Sequence, residues 1–368
     1  MCKYFACTAG ETIKTKMKNI IVAAWTALLM MVSGCMPVDR YVTLQGFAQG
    51  GTYTVKLNLN GRDGRIKVSP SEIKDSIDRL LSAIDNSLSG YNKKSVLSRF
   101  NEAETVIPDT LFVDMYEKAY EFYELTEGVV DASSAPLFDI WGFGFKSGDM
   151  PDEDEVRQAM SASGMGRLHR DMRSLISNGG TLDSESLLED VGGLLPRLNY
   201  NALAQGYSCD LVARYLYGIG VTDMMVDIGE IFCAGKNPSG KAWTIGIDRP
   251  VDGNDMPGYQ LQGVFKVPDG PHGVVTSGNY RKFYVRGGKK YAHTIDPRTG
   301  YPVGHNLLSA TIVAGDALTA DAYATYCMVI GLEASKCFIE ETPGLEGCLV
   351  YDDSGTFRTW TSDGFVLE

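Results

Sequence analysis

Six strand-like segments follow one another in the second half of the sequence, and no helix pattern separates them. Each is rich in β-branched and aromatic residues and is bounded by turn residues. Their limits are residues 224–234, 242–248, 259–267, 273–277, 282–286 and 291–295. Strands in a row, without a regular alternation with helices, predict an α+β protein.

Patterns on either side of these strands supply the rest of the expected fold. Apolar residues recur at helical spacing in four stretches, and a stretch of alternating residues near residue 55 indicates a strand. The expected elements are a hairpin over 41–60, helices over 71–88, 109–126, 202–217 and 320–330, a short helix after the last of these, and a strand over 348–352. We therefore expect mixed or antiparallel sheets with packed helices.

One long region lacks such a pattern. Residues 142–187 are rich in glycine, serine and charged side chains, and a helix start is indicated only near Pro151 and Asp152. We expect a surface excursion with one short helix there.

The first 35 residues have the features of an export signal. Lysines precede an apolar run at 20–32 that is too short for a comfortable membrane span, and Ser33 and Gly34 stand directly before Cys35. Small residues before a cysteine resemble the site that a lipoprotein signal peptidase cleaves. We expect residues 1–35 to be a lipoprotein signal with Cys35 acylated, and residues 36–368 to form one exported, membrane-anchored domain that faces the periplasm. Which membrane holds it stays open, and a buried helix ending at an ordinary cysteine is the alternative.

The chain is acidic overall. It has 46 Asp and Glu against 34 Lys and Arg, a formal net charge of -12. Nucleic-acid binding needs a basic surface, so we expect no nucleic-acid partner. An acidic protein that binds a phosphorylated ligand usually offsets the repulsion with a cation, which favours a metal-assisted site.

Common catalytic motifs and cysteine clusters are missing from the sequence. It has no G-x-S-x-G, Walker A or H-E-x-x-H pattern. Five cysteines follow Cys35, with no C-x-x-C pair among them. We expect most of them to be buried apolar side chains, with at most one or two disulfides.

Oxygen ligands for a hard cation occur at the start of the last long helix. If Thr319 is the N-cap, Asp321 lies in the first turn and Thr325 one turn further along the same face. A carboxylate and a hydroxyl placed in this way suit Mg²⁺. The alternative is a capped helix in which Asp321 only complements the helix dipole.

Three other stretches carry possible chemistry, each with an ordinary structural alternative. His293 lies at a strand edge before a turn, where a histidine is either a general base or part of the turn. The helix start at 199–208 offers backbone groups to phosphate or metal, or is only a helix start. Aromatic residues within 141–144, after residues 128–131, flank a planar ligand or fill the core.

Taken together and in order, these stretches resemble the ApbE family of FAD:protein FMN transferases over nearly the whole chain after residue 46. The resemblance rests on residues 49–53, 89–91, 97–101, 128–131, 136–137, 141–144, 202–207, 226–231, 276–280, 293–302 and 319–325. Two departures are that Gln49 stands where methionine is common and Gln205 where lysine is frequent. A third is that the turn at 227–230 is one glycine shorter than usual.

The resemblance implies a role for each matching residue. The metal, Mg²⁺ or another divalent cation, would be held by the carbonyl of Ala202 and the side chains of Asp321 and Thr325. His293 would activate the hydroxyl that attacks. FAD, the substrate, would lie against Gln49, Ser89, Gly90, Tyr91, Val129, Val130, Asp131, Gln205 and Ile295.

The resemblance also implies a reaction and partners. A Ser or Thr of an exported acceptor would attack FAD on the FMN side of its pyrophosphate, so that FMN becomes attached and AMP leaves. Expected acceptors are exported subunits of Na⁺-translocating NADH:quinone oxidoreductase or of Rnf-type complexes. Two alternatives share the same residues: an FAD pyrophosphatase that uses water, and a non-catalytic flavin-binding lipoprotein.

Overall fold

The computed structural model describes residues 41–143, 150–176, 180–190, 193–251, 254, 258–279, 283–286 and 289–368, with only the backbone at 283–286 and 289–291. The expected signal over residues 1–35, including Cys35, lies outside the described residues.

Helices and strands alternate irregularly along the chain. The helices are α1 (Pro70–Leu88), α2 (Val96–Asn101), α3 (Thr110–Leu125), α4 (Ala135–Ile140), α5 (Glu153–Ser161), α6 (Met172–Leu175), α7 (Ala204–Gly218), α8 (Ala317–Ile330) and α9 (Leu332–Glu341). The first eight strands are β1 (Tyr41–Ala48), β2 (Gly51–Asn58), β3 (Asn60–Gly61), β4 (Gly64–Arg65), β5 (Met224–Asp227), β6 (Ile231–Ala234), β7 (Thr244–Asp248) and β8 (Leu261–Lys266). The others are β9 (His272–Gly278), β10 (Phe283–Arg286), β11 (Lys289–Ala292), β12 (Ile295–Asp296), β13 (Tyr301–Pro302), β14 (Leu307–Ala314), β15 (Glu346–Asp353) and β16 (Thr356–Thr361).

An eight-stranded sheet organises the fold, in the order β1-β2-β5-β6-β9-β14-β15-β16. Every neighbouring pair in it is antiparallel. The described residues also form four two-stranded sheets: β3-β4, β7-β8, β10-β11 and β12-β13. This confirms the α+β prediction with antiparallel sheets.

The central strands of this sheet are buried on both faces. Successive side chains of a strand point to opposite faces, and on β9 Val274 packs in the cluster with the β7-β8 hairpin, whereas Val275 packs in the cluster with α8 and α9. On β14, Val313 likewise packs in the cluster with the hairpin, and Ile312 packs in the cluster with α8 and α9. Helices therefore cover one face and the hairpin covers the other, which fixes where α8 begins relative to the sheet.

The structure corrects three expected elements and adds others, among them β14. β14 was not predicted, because a strand buried on both faces lacks alternation. The strand expected over 224–234 is two strands joined by a turn, and the strand expected over 291–295 is interrupted at residues 293–294. Residues 142–187 are more than a surface excursion, since Met165, Leu168 and Met172 are completely buried in the main core.

Two further observations concern membranes and cysteines. Within the described ranges, no helix combines the length and the apolar character needed to cross a bilayer. The five cysteines from Cys209 to Cys348 are free thiols, and all but Cys337 are buried. This agrees with the expectation that they are mostly buried side chains.

Candidate active site

A cavity of about 310 Å³ is lined by the start of α7, by α8 from Asp321 onwards and by the end of β9. Ten of the residues singled out from the sequence line it: Tyr91, Val129, Val130, Asp131, Ala202, Gln205, His293, Ile295, Asp321 and Thr325. The first and the last of them, Tyr91 and Thr325, are more than 200 residues apart in the sequence, so the fold brings the separate motifs to one place.

Asp321 of α8 lines this cavity and is only 4% exposed. The N-cap of α8 is Asp316, whose carboxylate accepts from the backbone N–H of Thr319 at 2.7 Å. The expectation that Thr319 is the N-cap was wrong, and Asp321 lies in the second turn. Thr325 is still one turn further on and also lines the cavity.

The carboxylate of Asp321 is poorly compensated. Burial raises its pKa, the negative charge of Asp210 raises it further, and a hydrogen bond from the backbone N–H of Gly206, at 3.0 Å to Oδ2, lowers it. In the part of the chain that the structure describes, no Lys or Arg forms an ion pair with Asp321. A bound cation would supply the missing charge.

The donors around Asp321 fit a hard divalent cation. A carboxylate, a hydroxyl and the Ala202 region all border the same cavity. The described residues contain no group of three or more His, Cys, Asp or Glu that would hold a metal by themselves. Mg²⁺ characteristically binds through one or two carboxylates and completes its shell with water and substrate phosphates, so this sparse set suits a cation that binds together with a phosphorylated ligand.

His293 borders the cavity in the break between β11 and β12. Its ring meets the ring of Phe143 edge to face, with centroids 6.4 Å apart. The next residue, Thr294, donates a hydrogen bond of 2.6 Å to the side-chain oxygen of Asn279, which directly follows β9. Further along the same loop, the carbonyl of Gly300 accepts a hydrogen bond from the indole N–H of Trp141 at 2.7 Å. These contacts fix the backbone that carries the imidazole.

The segment after α3 also lines the cavity, through Val129, Val130 and Asp131. The hydroxyl of Thr126 accepts from the backbone N–H of Val130 at 3.0 Å, which positions the turn. Asp131 accepts from the backbone N–H and the hydroxyl of Ser133 at 2.8 and 2.7 Å, and its burial raises its pKa. Tyr91, 67% exposed, lies at the mouth of the cavity.

Gln205 lies against the turn between β5 and β6. Its side-chain amide donates to the carbonyl of Ile228 at 3.2 Å. Gly229 has a φ of +93°, and a Cβ there would come within 2.5 Å of Nε2 of Gln205. Only glycine fits this turn, which also brings Glu230 to the cavity.

Three expected flavin-binding residues do not line the cavity: Gln49, Ser89 and Gly90. The side-chain amide of Gln49 donates to the hydroxyl of Ser208 on α7. Ser89 shapes the loop that carries Tyr91, because its hydroxyl accepts from the backbone N–H of Tyr91 and of Asn92 at 3.3 and 3.1 Å.

Sequence reasoning assigned no role to Asp210, although it contacts the helix that carries Asp321. It accepts hydrogen bonds from the backbone N–H of Ala317 and of Leu318, both at 2.9 Å. The available signal was a carboxylate four residues after Gly206 in a helix whose other residues are largely apolar.

The fold and site define an α+β protein with a cavity beside a buried carboxylate. The model of the ApbE family matches residues 50–349, and the chain belongs to that family.

Relatives and solved structures agree with this assignment. Two relatives are named FAD:protein FMN transferase: one from Vibrio cholerae, 30% identical over 95% of this chain and 98% of its own length, and one from Escherichia coli, 30% identical over 94% and 95%. The solved flavin transferase ApbE from Vibrio cholerae is 29% identical with a TM-score of 0.70, covering 88% of this chain and 97% of that one. The apo flavinyl transferase ApbE of Pseudomonas stutzeri is 27% identical with a TM-score of 0.71, over 88% and 95%.

Proposed function

We propose that this protein transfers FMN from FAD to a Ser or Thr hydroxyl of an acceptor protein and releases AMP, with a divalent cation bound at Asp321. The observation that carries the proposal is that Asp321, Thr325 and His293 border one cavity in a chain of the ApbE family. The relatives' name supplies the two substrates, FAD and a protein.

The residues of the cavity divide the work. The side chains of Asp321 and Thr325 and the carbonyl of Ala202 would hold the cation, which when bound supplies positive charge for the pyrophosphate. His293 accepts the proton of the acceptor hydroxyl as the new oxygen–phosphorus bond to FMN forms. The bond between that phosphorus and the oxygen of AMP breaks, and AMP leaves with the electron pair. Positioning and charge neutralisation provide most of the rate.

The flavin half of FAD has an apolar wall available. Val129, Val130 and Ile295 line the cavity, and each is at most 3% exposed. Tyr91 at the mouth supplies an aromatic face for stacking on a planar ring.

The proposed setting of the reaction is outside the cytoplasm. The pattern that ends at Cys35 supports a lipid anchor, and the acceptors we propose are exported subunits of Na⁺-translocating NADH:quinone oxidoreductase or Rnf-type complexes. In cells fed labelled palmitate, the wild-type chain should carry label and Cys35→Ala should not. Equal labelling of both would contradict the anchor.

The activity is tested by incubating the protein with FAD, Mg²⁺ and a candidate acceptor and weighing the acceptor by mass spectrometry. The wild type should add the mass of FMN, and Asp321→Ala and His293→Gln should not. Free FMN and AMP with an unmodified acceptor would instead identify a pyrophosphatase. Failure to cleave FAD at all would refute both enzyme activities and leave a flavin-binding protein.

A further inference from the structure

Helices α7 and α8 touch backbone to backbone beside the proposed cation site. At Gly206, a Cβ would come within 2.4 Å of the carbonyl oxygen of Ala317 and 2.9 Å of Cβ of Asp321. The same glycine donates its backbone N–H to Asp321. The position of Asp321 is therefore set by how closely the starts of the two helices approach.

Asp210 holds this approach from one turn further along α7. Its two carboxylate oxygens accept separately, Oδ1 from the N–H of Ala317 and Oδ2 from the N–H of Leu318. The first N–H groups of a helix have no partner within the helix. Asp210 thus takes two of the free donors of α8, and Asp316 takes that of Thr319.

We propose that Asp210 is a positioning residue for the cation site: it clamps the first turn of α8 to α7 and thereby sets Asp321 and Thr325 against the carbonyl of Ala202. This inference rests on the proposed cation at Asp321. Asp210 does not line the cavity that contains Asp321; it lines a second one, of about 600 Å³. It acts through α8, without touching the substrate.

Charge supports the same role. Burial raises the pKa of Asp210 to about 6, with smaller opposing contributions from its two backbone hydrogen bonds. The negative charge of Asp210 also raises the pKa of Asp321, so the two carboxylates repel each other when both are ionised. Both effects favour a cation between α7 and α8, in the way that outer ligand-orienting groups strengthen other metal sites.

The test compares Mn²⁺ binding, measured by the loss of the free-ion EPR signal, in the full-length wild type and Asp210→Asn. Asparagine keeps the size but loses the charge and one of the two acceptor oxygens. We expect Mn²⁺ affinity to fall about ten-fold or more, as for other outer-shell substitutions. Binding of FAD without metal, followed by flavin fluorescence, should stay within about two-fold, because Asp210 is outside that cavity.

Kinetics separate positioning from general damage. In Asp210→Asn the apparent KM for Mg²⁺ should rise about ten-fold while kcat at saturating Mg²⁺ changes little. The control is Asp109→Ala, which removes the N-cap of α3, where Asp109 accepts from the N–H of Phe112 at 2.9 Å. It should lower the melting temperature and leave Mn²⁺ affinity unchanged.

The outcomes are distinct. A wild type that binds no Mn²⁺, even with FAD, would overturn the proposed cation itself. A wild type that binds Mn²⁺ and an Asp210→Asn protein that binds it equally well would overturn only the role of Asp210. If Asp210→Asn does not fold, Asp210→Glu serves instead, since it keeps the charge but lengthens the side chain by one methylene. Wild-type Mn²⁺ affinity in that variant would also count against the clamp.

Discussion

The indole N–H of Trp141 donates to the carbonyl of Gly300, 159 residues further along the chain, at 2.7 Å. Trp141 is 5% exposed, and Gly300 closes the turn that follows His293. The bond ties the aromatic residues after α4 to the loop that carries the proposed base.

Trp141→Phe should therefore lower activity through the position of His293. Phenylalanine keeps most of the apolar surface but leaves the buried carbonyl of Gly300 unpaired, which costs about 1 to 3 kcal/mol of stability. We expect kcat for FMN transfer to fall about ten-fold, because small displacements of a catalytic group are costly.

The matched control is Trp243→Phe. Trp243 is also 5% exposed, and its indole N–H donates to the carbonyl of Ala234 at 2.9 Å, in the cluster around the β7-β8 hairpin. It should lower the melting temperature by a similar amount and leave kcat unchanged. Equal kcat in the two variants would contradict the link between Trp141 and His293.

Gly206→Ala should destabilise the protein and weaken the cation site together. The added methyl group would meet the backbone of α8, which cannot move as a side chain can. Overpacking of this kind costs about 1 to 3 kcal/mol. Urea unfolding and Mn²⁺ titration measure the two effects.

Gly218→Ala tests the same substitution in the last turn of the same helix. A Cβ at Gly218 meets nothing within 4 Å, so alanine should leave stability unchanged or raise it by up to about 1 kcal/mol. Weakened Mn²⁺ binding in Gly218→Ala would show that the effect at position 206 is not specific to the contact with α8.

The elements that were predictable from the sequence are those with one buried face. In α1, Ile73, Ile77 and Leu81 are buried at helical spacing, and solvent covers the other side. Asp109 was also correctly placed at the start of α3, where it is the N-cap. Amphipathic periodicity and capping chemistry are local, so they are visible without the rest of the fold.

The features that could not be predicted from the sequence depend on contacts between residues that are far apart in the chain. β14 has seven buried residues of eight and no alternation, because α8 and the hairpin cover its two faces. Asp316 and Thr319 are both acceptable N-caps, and the choice of Asp316 fixes Asp321 one turn deeper than expected. The bond from Ala317 to Asp210 spans 107 residues, which no local pattern reveals.

Gln205→Lys should strengthen FAD binding in the absence of metal. Gln205 lines the cavity without bringing any positive charge, and Glu230 of the adjacent turn adds a carboxylate. An ammonium group there would face the phosphates of FAD, and charge-assisted hydrogen bonds are roughly twice as strong as neutral ones. We expect the Kd for FAD, measured by fluorescence quenching in EDTA, to fall about three-fold to ten-fold.

Gln205→Glu is the opposite charge change at the same position, and it should weaken metal-free FAD binding. If Lys and Glu shift the Kd equally and in the same direction, the effect comes from losing the bond to the carbonyl of Ile228. The phosphates would then lie elsewhere in the cavity.

The metal-free protein should become less stable as the pH rises from 5 to 8. Burial raises the pKa of Asp131, Asp210 and Asp321, that of Asp210 to about 6, whereas an unfolded Asp ionises near pH 4. Between the unfolded and folded pKa values the native state binds more protons than the unfolded chain, so stability falls as pH rises through that window. Below the unfolded pKa the contribution is complete, and above the folded pKa it is lost.

In Asp321→Asn, stability should fall less steeply with pH, because the substitution removes one buried carboxyl group that must ionise in the folded protein. Thermal unfolding in EDTA across pH 5 to 8 measures this change. Asp269→Asn is the control, since Asp269 is exposed and its hydrogen bond with Lys236 lowers its pKa. Mg²⁺ with FAD should restore wild-type stability most at high pH, because a cation binds the ionised carboxylate. If stability falls with pH equally in Asp321→Asn and in the wild type, ionisation of Asp321 does not destabilise the folded protein. The burial of this carboxylate would then give no argument for a bound cation.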